Sequence, residues 1–315
     1  MRDKILEFLK KNNEYTSGDH LAHSLGISRQ GLWKHIQELR DSGYDIAAVP
    51  HLGYKLISIP DKLFPSEITH GLDTRFIGKK VYYFDKVTST MDVAMQWVTK
   101  GANEGTIVIA ETQIKGRGRL GRQWLSPRYK GIYLSLILKP RVAPAQASIF
   151  TLLAAVSICE AVKDEIGLDV QIKWPNDILI RNKKFCGILT EMDAETDEIK
   201  FLVIGLGLNV NNDRGELLAG ATSLKEERKE KVNRITLLQA ILRRIEKNYL
   251  LFQKEGPEVI TQKWREYNIT LGKRVRITYR HKHLEGQSVD IDQDGALLIR
   301  NSSGLIQKVT SGDVT

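Results

Sequence analysis

The hydrophobic period of this chain changes twice along its 315 residues, and no single repeating architecture accommodates all three patterns. In the first sixty residues the apolar positions recur at helical spacing. Ile5, Phe8 and Leu9 line a first helix. Ser17 N-caps a second, with Asp19 in its first turn and Leu21, Ala22 and Leu25 on its apolar face, and Gly26 stops it. Ile27 alone separates Gly26 from Ser28, the N-cap of a third helix that runs to Arg40 and buries Leu32, Ile36 and Leu39. After Gly43 the period falls to two. Tyr44, Ile46 and Ala48 face Tyr54, Leu56 and Ser58 across His51-Leu52-Gly53, which reads as a β-hairpin.

Helix, short glycine-containing turn, helix is the helix-turn-helix pattern. Helices at this spacing also form packing modules that bind no DNA; the hairpin directly downstream favours a winged helix-turn-helix. Ser28, Arg29, Gln30, Lys34, His35 and Gln37 then fall at the start and on the exposed side of the third helix, where they suit phosphates and base edges. Residues 1–60 carry eight Lys/Arg against seven Asp/Glu, so one such module would bind weakly and specific binding would need a dimer on a two-part site.

Pro60 to Pro65 reads as a linker, and beyond it strands and helices alternate. Strands are predicted at Val81–Phe84, Thr106–Ala110, Ile132–Leu138, Val170–Lys173, Ile178–Ile180, Phe185–Met192 and Lys200–Leu206. Helices are predicted at Thr90–Lys100, from near Pro144 to Glu165, at Thr236–Phe252 and at Pro257–Glu266. Strands on both sides of the long helix imply a mixed α/β sheet rather than a regular βαβ array. From Leu271 short strands punctuated by Asp294-Gly295 and Ser303-Gly304 form a small all-β module, too small to stand without docking. The reading is a multidomain α+β chain with segments 1–64, 65–269 and 270–315.

Hydrophobic content of 42% with 27% charged residues is that of an ordinary globular protein. The apolar stretches Tyr133–Leu138 and Phe150–Val156 fall short of a bilayer span, and Met1-Arg2-Asp3-Lys4 opens an amphipathic pattern, so a cytoplasmic protein with no membrane partner is expected. Cys159 and Cys186 have no framework or metal-ligand spacing and read as small buried hydrophobes in a reducing compartment. A net charge of +9 fits a polyanionic partner or anionic substrate, but the excess is spread over the arginine-rich run and Lys273–Lys282 and locates no DNA-binding face.

Chemistry concentrates in a few stretches. In Gly116-Arg117-Gly118-Arg119-Leu120-Gly121-Arg122-Gln123-Trp124, glycine permits close backbone approach to an oxyanion, and arginine offers a permanently charged fork for carboxylate or phosphate. The tryptophan adds a face on which a flat base could stack. The run has neither P-loop nor dinucleotide-fold spacing; its bland alternative is a solvated basic turn or an RNA-contacting patch. Lys173-Trp174-Pro175-Asn176-Asp177 combines a turn with an amide, a carboxylate and an ammonium at one strand end. Lys184, entering the apolar run Phe185-Cys186-Gly187-Ile188-Leu189, is either a solvated edge residue or a cation aimed at a ligand. Ser89-Thr90 could be a helix cap only, and Gly205-Leu206-Gly207-Leu208-Asn209-Val210 a tight strand-end turn. No cluster supports a tightly held metal, and no nucleophilic triad is suggested.

Together GRGRLGRQW, KWPND, KFCGILTE and GLGLNV, in this order and spacing, resemble the biotin protein ligases. With the winged helix-turn-helix before them they resemble the bifunctional bacterial form that is also the biotin operon repressor. The resemblance spans essentially the whole chain, including an SH3-like C-terminal β-barrel ending Thr310-Ser311-Gly312-Asp313. It implies that biotin and ATP, with Mg²⁺, give biotinyl-5′-AMP and pyrophosphate, and that biotin then passes to a lysine of the biotin carrier domain of acetyl-CoA carboxylase or another biotin-dependent carboxylase. It also implies operator DNA as a partner and a homodimer in the adenylate-bound state.

By the same resemblance Gly116, Arg117, Gly118 and Arg119 belong to the loop closing on biotin and phosphates, Arg122 faces the nucleotide, and Trp124 stacks on adenine. Lys184, with Gly187 nearby, lies near the carboxyl and phosphate oxygens, and Lys184 and Arg119 are the catalytic candidates. Ser89, Thr90 and Gln113 surround the ureido ring, while Asn176, Asp177 and Asn209 fall where nucleotide or metal is contacted. Met91 departs from the family pattern, replacing an asparagine and its side-chain hydrogen bond. Two alternatives remain open: an inactive ligand-sensing repressor, and a ligase for a related acid such as lipoate.

Overall fold

A computed structural model describes residues 1–12, 14–279 and 282–315; Arg280 and His281, in the basic run Lys273–Lys282, lie outside the described residues. The chain forms two compact units, Met1–Lys62 and Leu63–Thr315.

The first unit holds α1 (Arg2–Lys11), α2 (Gly18–Leu25), α3 (Arg29–Asp41), β1 (Asp45–Val49) and β2 (Gly53–Ser58). Ser17 caps α2 by accepting the His20 N–H at 3.1 Å, and Ser28 caps α3 by accepting the Gly31 N–H at 3.0 Å. Gly26, at φ +65°, turns its N–H back onto the carbonyls of Ala22 and His23 and so allows the abrupt change of direction between the helices. Ile5, Leu6, Leu9, Leu21, Leu32, Ile36 and Leu39 close the core. Leu6 takes the buried place expected of Phe8, which is half-buried against the His20 ring. The wing is antiparallel with Ile46 opposite Leu56 and Ala48 opposite Tyr54, and Thr16 bridges to Tyr54 along its other side.

The second unit starts inside the expected linker. Leu63 is fully buried, its N–H donates to Glu111 Oε1 at 2.7 Å, and a short α4 (Pro65–Thr69) follows. The central elements are β3 (Val81–Phe84), α5 (Thr90–Thr99), β4 (Ile107–Ala110), β5 (Ile132–Leu138), α6 (Ala147–Ile166), β6 (Gln171–Lys173), β7 (Asp177–Ile180), β8 (Lys183–Ala194), β9 (Ile199–Leu208), α7 (Leu224–Arg228), α8 (Arg234–Glu255) and α9 (Glu258–Tyr267). The seven strands form one mixed sheet in the order β3-β4-β5-β9-β8-β7-β6, in which only β3 and β4 pair in parallel.

Successive strand residues point to opposite faces, so Ile107, Ile109, Leu134 and Leu136 join the core under α6 while Val108, Ile137 and Val203 pack beneath Met91 and Ala94 of α5. The helical stretch Pro144–Ile166 is long and apolar enough to cross a membrane by length and composition, but 72% of its apolar window is buried inside this fold. It is apolar all round because it packs between the sheet and helices α8 and α9.

The C-terminal strands β10 (Arg274–Tyr279), β11 (Lys282–Ile291), β12 (Leu297–Arg300), β13 (Ile306–Val309) and β14 (Asp313–Val314) form an antiparallel sheet in the order β13-β12-β11-β10-β14. This small module docks as its size requires. Val275, Ile277, Leu297 and Ile299 join the central core, and the buried Trp174 donates from Nε1 to the Gly295 carbonyl at 3.1 Å.

Candidate functional site

A cavity of about 540 Å³ opens on the α5 face of the sheet. Its floor lacks side chains where Gly187 of β8 lies opposite Gly207 of β9. A Cβ on Gly207 would stand 2.6 Å from the Trp124 ring and one on Gly187 3.0 Å from it, so the indole rests directly on the strand backbones. Of the run Gly205–Val210, weighed from the sequence as a strand-end turn, Gly205–Leu208 are the last four residues of β9, paired with β8, and only Asn209 and Val210 lie beyond the strand. Glycine serves here for close approach of a ring.

The Gly/Arg run is a tight excursion above this floor. Gly118 N–H donates to the Arg122 carbonyl at 2.7 Å, Trp124 N–H to the Gly116 carbonyl at 2.8 Å, and the turn is made by Leu120 and Gly121 at φ +55° and +73°. Each arginine has a protein partner. Arg117 spans Asp92 of α5 at 2.8 Å and Glu191 of β8 at 3.0 Å. Arg119 donates to Asn176 Oδ1 and to the Gly312 carbonyl, both at 3.2 Å. Its burial lowers the guanidinium pKa from its ordinary value, with Asp313 and Asp177 opposing that shift, and arginine stays charged. Arg122 pairs with Asp313 of the C-terminal module.

Lys184 Nζ lies 2.6 Å from Asp177 and 5.4 Å from the centre of the Trp124 ring, on the cavity wall. β8 is an inner strand of the sheet, between β9 and β7, and the Lys184 side chain on it is partly exposed. Asn176 accepts from Arg119 while its Nδ2 donates to the Ile188 carbonyl at 2.7 Å. Asn209, buried, donates to the Thr222 carbonyl at 3.1 Å and joins the end of β9 to the segment beyond it.

At the inner end, Ser89 caps α5 by accepting the Met91 N–H at 3.2 Å. Thr90 donates to Gln113 Oε1 from both its N–H (2.9 Å) and its hydroxyl (3.1 Å), and accepts from Ser135 at 2.9 Å. Gln113 Nε2 donates to Ser126 at 3.0 Å, which leaves one amide hydrogen for a further acceptor. Met91 packs with Ala94 and Val108, so the side chain that replaces asparagine serves the core under α5.

Some of the surroundings have no sequence motif. Glu216, Leu217, Leu218, Ala219, Gly220 and Ala221 line one side of the cavity. They are tied in through Lys184 N–H to the Gly220 carbonyl (3.0 Å) and through Asp213, which pairs with Lys130 at 2.6 Å and with Lys225. Ser126 and Ser135, which hold the inner hydrogen-bond chain, carry no signal either. Both cysteines are free and buried.

In the first unit Ser28, Arg29, Gln30 and Lys34 are exposed, with Arg29 paired to Asp19 at 2.8 Å. Gln37 is only half-exposed, as is His35, which contacts Glu38 at 3.1 Å. The sequence reading passed over Trp33, which stands 57% exposed on the same helix.

Comparison with known proteins agrees with this geometry. Residues 81–209 match the biotin/lipoate A/B protein ligase family, residues 2–55 an HTH domain, and residues 270–315 the biotin protein ligase C-terminal domain. The chain is 40% identical over 317 residues to the bifunctional ligase/repressor BirA of Bacillus subtilis, covering 99% of this chain and 97% of that one. It is 32% identical to the bifunctional ligase/repressor BirA of Escherichia coli, covering 98% and 94%. The solved biotin protein ligase from Aquifex aeolicus in complex with biotin and ATP superposes with a TM-score of 0.65 at 28% identity, over 75% of this chain and 98% of that one. The fold and site define a ligase of the biotin/lipoate class. The chain belongs to the bifunctional ligase/repressor branch of the biotin protein ligases.

Proposed function

We propose that this chain is a biotin–carboxylase ligase and a biotin-responsive repressor, with biotinyl-5′-AMP as both reaction intermediate and corepressor. One observation carries the ligase reading: a single cavity joins a polar inner end at Ser89, Thr90 and Gln113 to a cationic outer end at Arg119, Arg122 and Lys184. Biotin has that polarity, with a ureido ring at one end and a carboxylate at the other.

In the first half-reaction the biotin carboxylate attacks the α-phosphorus of ATP, pyrophosphate leaves, and a mixed anhydride forms. Both reactants are anions, so the barrier falls when positive charge is preorganised where they meet. Lys184 supplies a compact ammonium there and Asp177 fixes its position; Arg119 supplies a planar fork. The Trp124 indole, one face of which rests on the glycine floor, offers its other face to the nucleotide base. In the second half-reaction the ε-amine of a carrier-domain lysine attacks the anhydride carbonyl, loses a proton, and AMP departs. Lys184 then faces the negative charge that collects on the leaving phosphate.

The donor set suits Mg²⁺ carried by ATP. The described residues contain no group of three His, Cys, Asp or Glu that could cage a metal, whereas Asp177 on the cavity wall could share an ion held mainly by phosphates and water. The ion would supply charge neutralisation on the phosphates. Ordering of the Gly/Arg loop around the adenylate favours a homodimer, and two copies of the first unit would meet a two-part operator.

Mass spectrometry of a carboxylase carrier domain incubated with this protein, biotin and MgATP tests the ligase. The expected result is one biotinyl adduct on one lysine; no adduct, or an equal adduct from lipoate, overturns the reading. A gel-shift titration on a selected duplex tests the corepressor. Equal affinity with and without biotin plus ATP would remove that part.

A further inference from the structure

We infer that Trp33 is a specificity-determining residue for DNA, its indole packing in the major groove against the 5-methyl group of a thymine. The inference rests on the repressor reading above and adds to it a named chemical contact. Leu32, Ile36 and Leu39 form the core face of α3 and are each at most 2% exposed. Trp33 stands one helical step off that face and is 57% exposed, an unusual state for the largest apolar side chain. Its neighbours at three and four residues are Gln30 and Gln37, and Lys34 is adjacent, so the exposed stripe of α3 combines two amides, an ammonium and one flat apolar surface.

That combination matches the edge pattern of a major groove. Amides bond adenine, an ammonium meets guanine or phosphate, and the only apolar group that a base pair presents there is the thymine methyl. A protein partner fits less well. The core of a protein interface is a contiguous apolar patch depleted of charge, and on this stripe the tryptophan is surrounded by Arg29, Gln30, Lys34 and Gln37. Being mostly exposed, Trp33 adds little to the helix packing, so its removal leaves the fold intact.

The test uses the full chain with biotin and MgATP. The tightest duplexes are selected from a random library, and the best is resynthesised with deoxyuridine for thymidine, which removes the methyl groups alone. The wild type is expected to bind the uracil duplex about tenfold more weakly. Trp33→Ala is expected to bind both duplexes equally, at the wild type's uracil affinity, with an unchanged melting temperature. Its salt dependence stays that of the wild type, because no phosphate contact is lost. Trp33→Leu keeps an apolar surface and retains part of the thymine preference. A wild type indifferent to the methyl group, or a Trp33→Ala variant with the full wild-type preference, overturns the inference. A change in oligomeric state without a change in thymine preference assigns Trp33 to a protein contact and overturns it equally. If the wild type selects no duplex at all, the repressor reading fails first and this one falls with it.

Discussion

Arg117 and Glu191 meet at 3.0 Å, and the second guanidinium arm of Arg117 reaches Asp92 at 2.8 Å. One loop arginine is therefore fastened to both a helix of the α5 face and a strand of the central sheet. Arg117, Arg119 and Arg122 all line the cavity, and Arg117 is the one tied to α5 and β8 together.

That anchoring separates ligand retention from stability. Each pair is partly exposed, and such pairs contribute only about 0–1 kcal/mol to folding. Glu191→Gln is expected to lower the melting temperature little and to speed biotinyl-adenylate release several-fold. Stopped-flow release measured beside calorimetry checks this; a large loss of stability with unchanged release would contradict it.

The glycine floor makes a sharper prediction. Gly207→Ala places a methyl group where the Trp124 ring now lies, 2.6 Å from its nearest atom, and the indole must move. The Michaelis constant for ATP is expected to rise at least about tenfold, the loss of one stacking contact and its alignment. Affinity for biotin, whose ureido end we propose to lie at Ser89 and Gln113, should change less. Isothermal titration with biotin alone and with an ATP analogue distinguishes the two.

Much of this site was legible because motif residues stay close in space: Asn176 reaches Arg119, and Lys184 reaches both Asp177 and the Trp124 ring. The rest was not, for physical reasons that differ. Gly205 and Gly207 have the composition of a turn, and only the Met91 side chain against Gly205 and the Trp124 ring above Gly207 show why side chains are missing there. Glu216–Ala221 has no motif, since its position depends on long-range links such as Lys130 to Asp213. The expected linker at Pro60–Pro65 hid the start of the second unit. Leu63 packs into the central core, and its N–H is held by Glu111, far away in sequence.

That same Glu111 forms a fully buried pair with Arg234 at 2.8 Å, a contact invisible in sequence because each charge alone reads as solvated. Glu111 also accepts the Leu63 N–H, and Arg234 donates to the Gly131 carbonyl at 2.9 Å. Glu111→Gln keeps the shape and strands the arginine charge. Removing one partner of a buried pair costs about 3–5 kcal/mol. Chemical denaturation should show a loss of that size; a change below about 1 kcal/mol would mean that water reaches the pair.

Acid should loosen the segment that walls the cavity through Asp213. Hydrogen bonds from Lys130 and Lys225 hold its carboxyl at about 2, below the ordinary aspartate value. A carboxyl with a depressed folded pKa stabilises the folded state above its unfolded value, near about 4, and that contribution is lost as pH falls through the folded value. Asp213→Asn never has it. The difference in melting temperature between wild type and Asp213→Asn should be present and constant at neutral pH, and should shrink progressively from about pH 4 toward pH 2. A difference that persists unchanged to pH 2 would show that the two lysines do not hold this carboxylate.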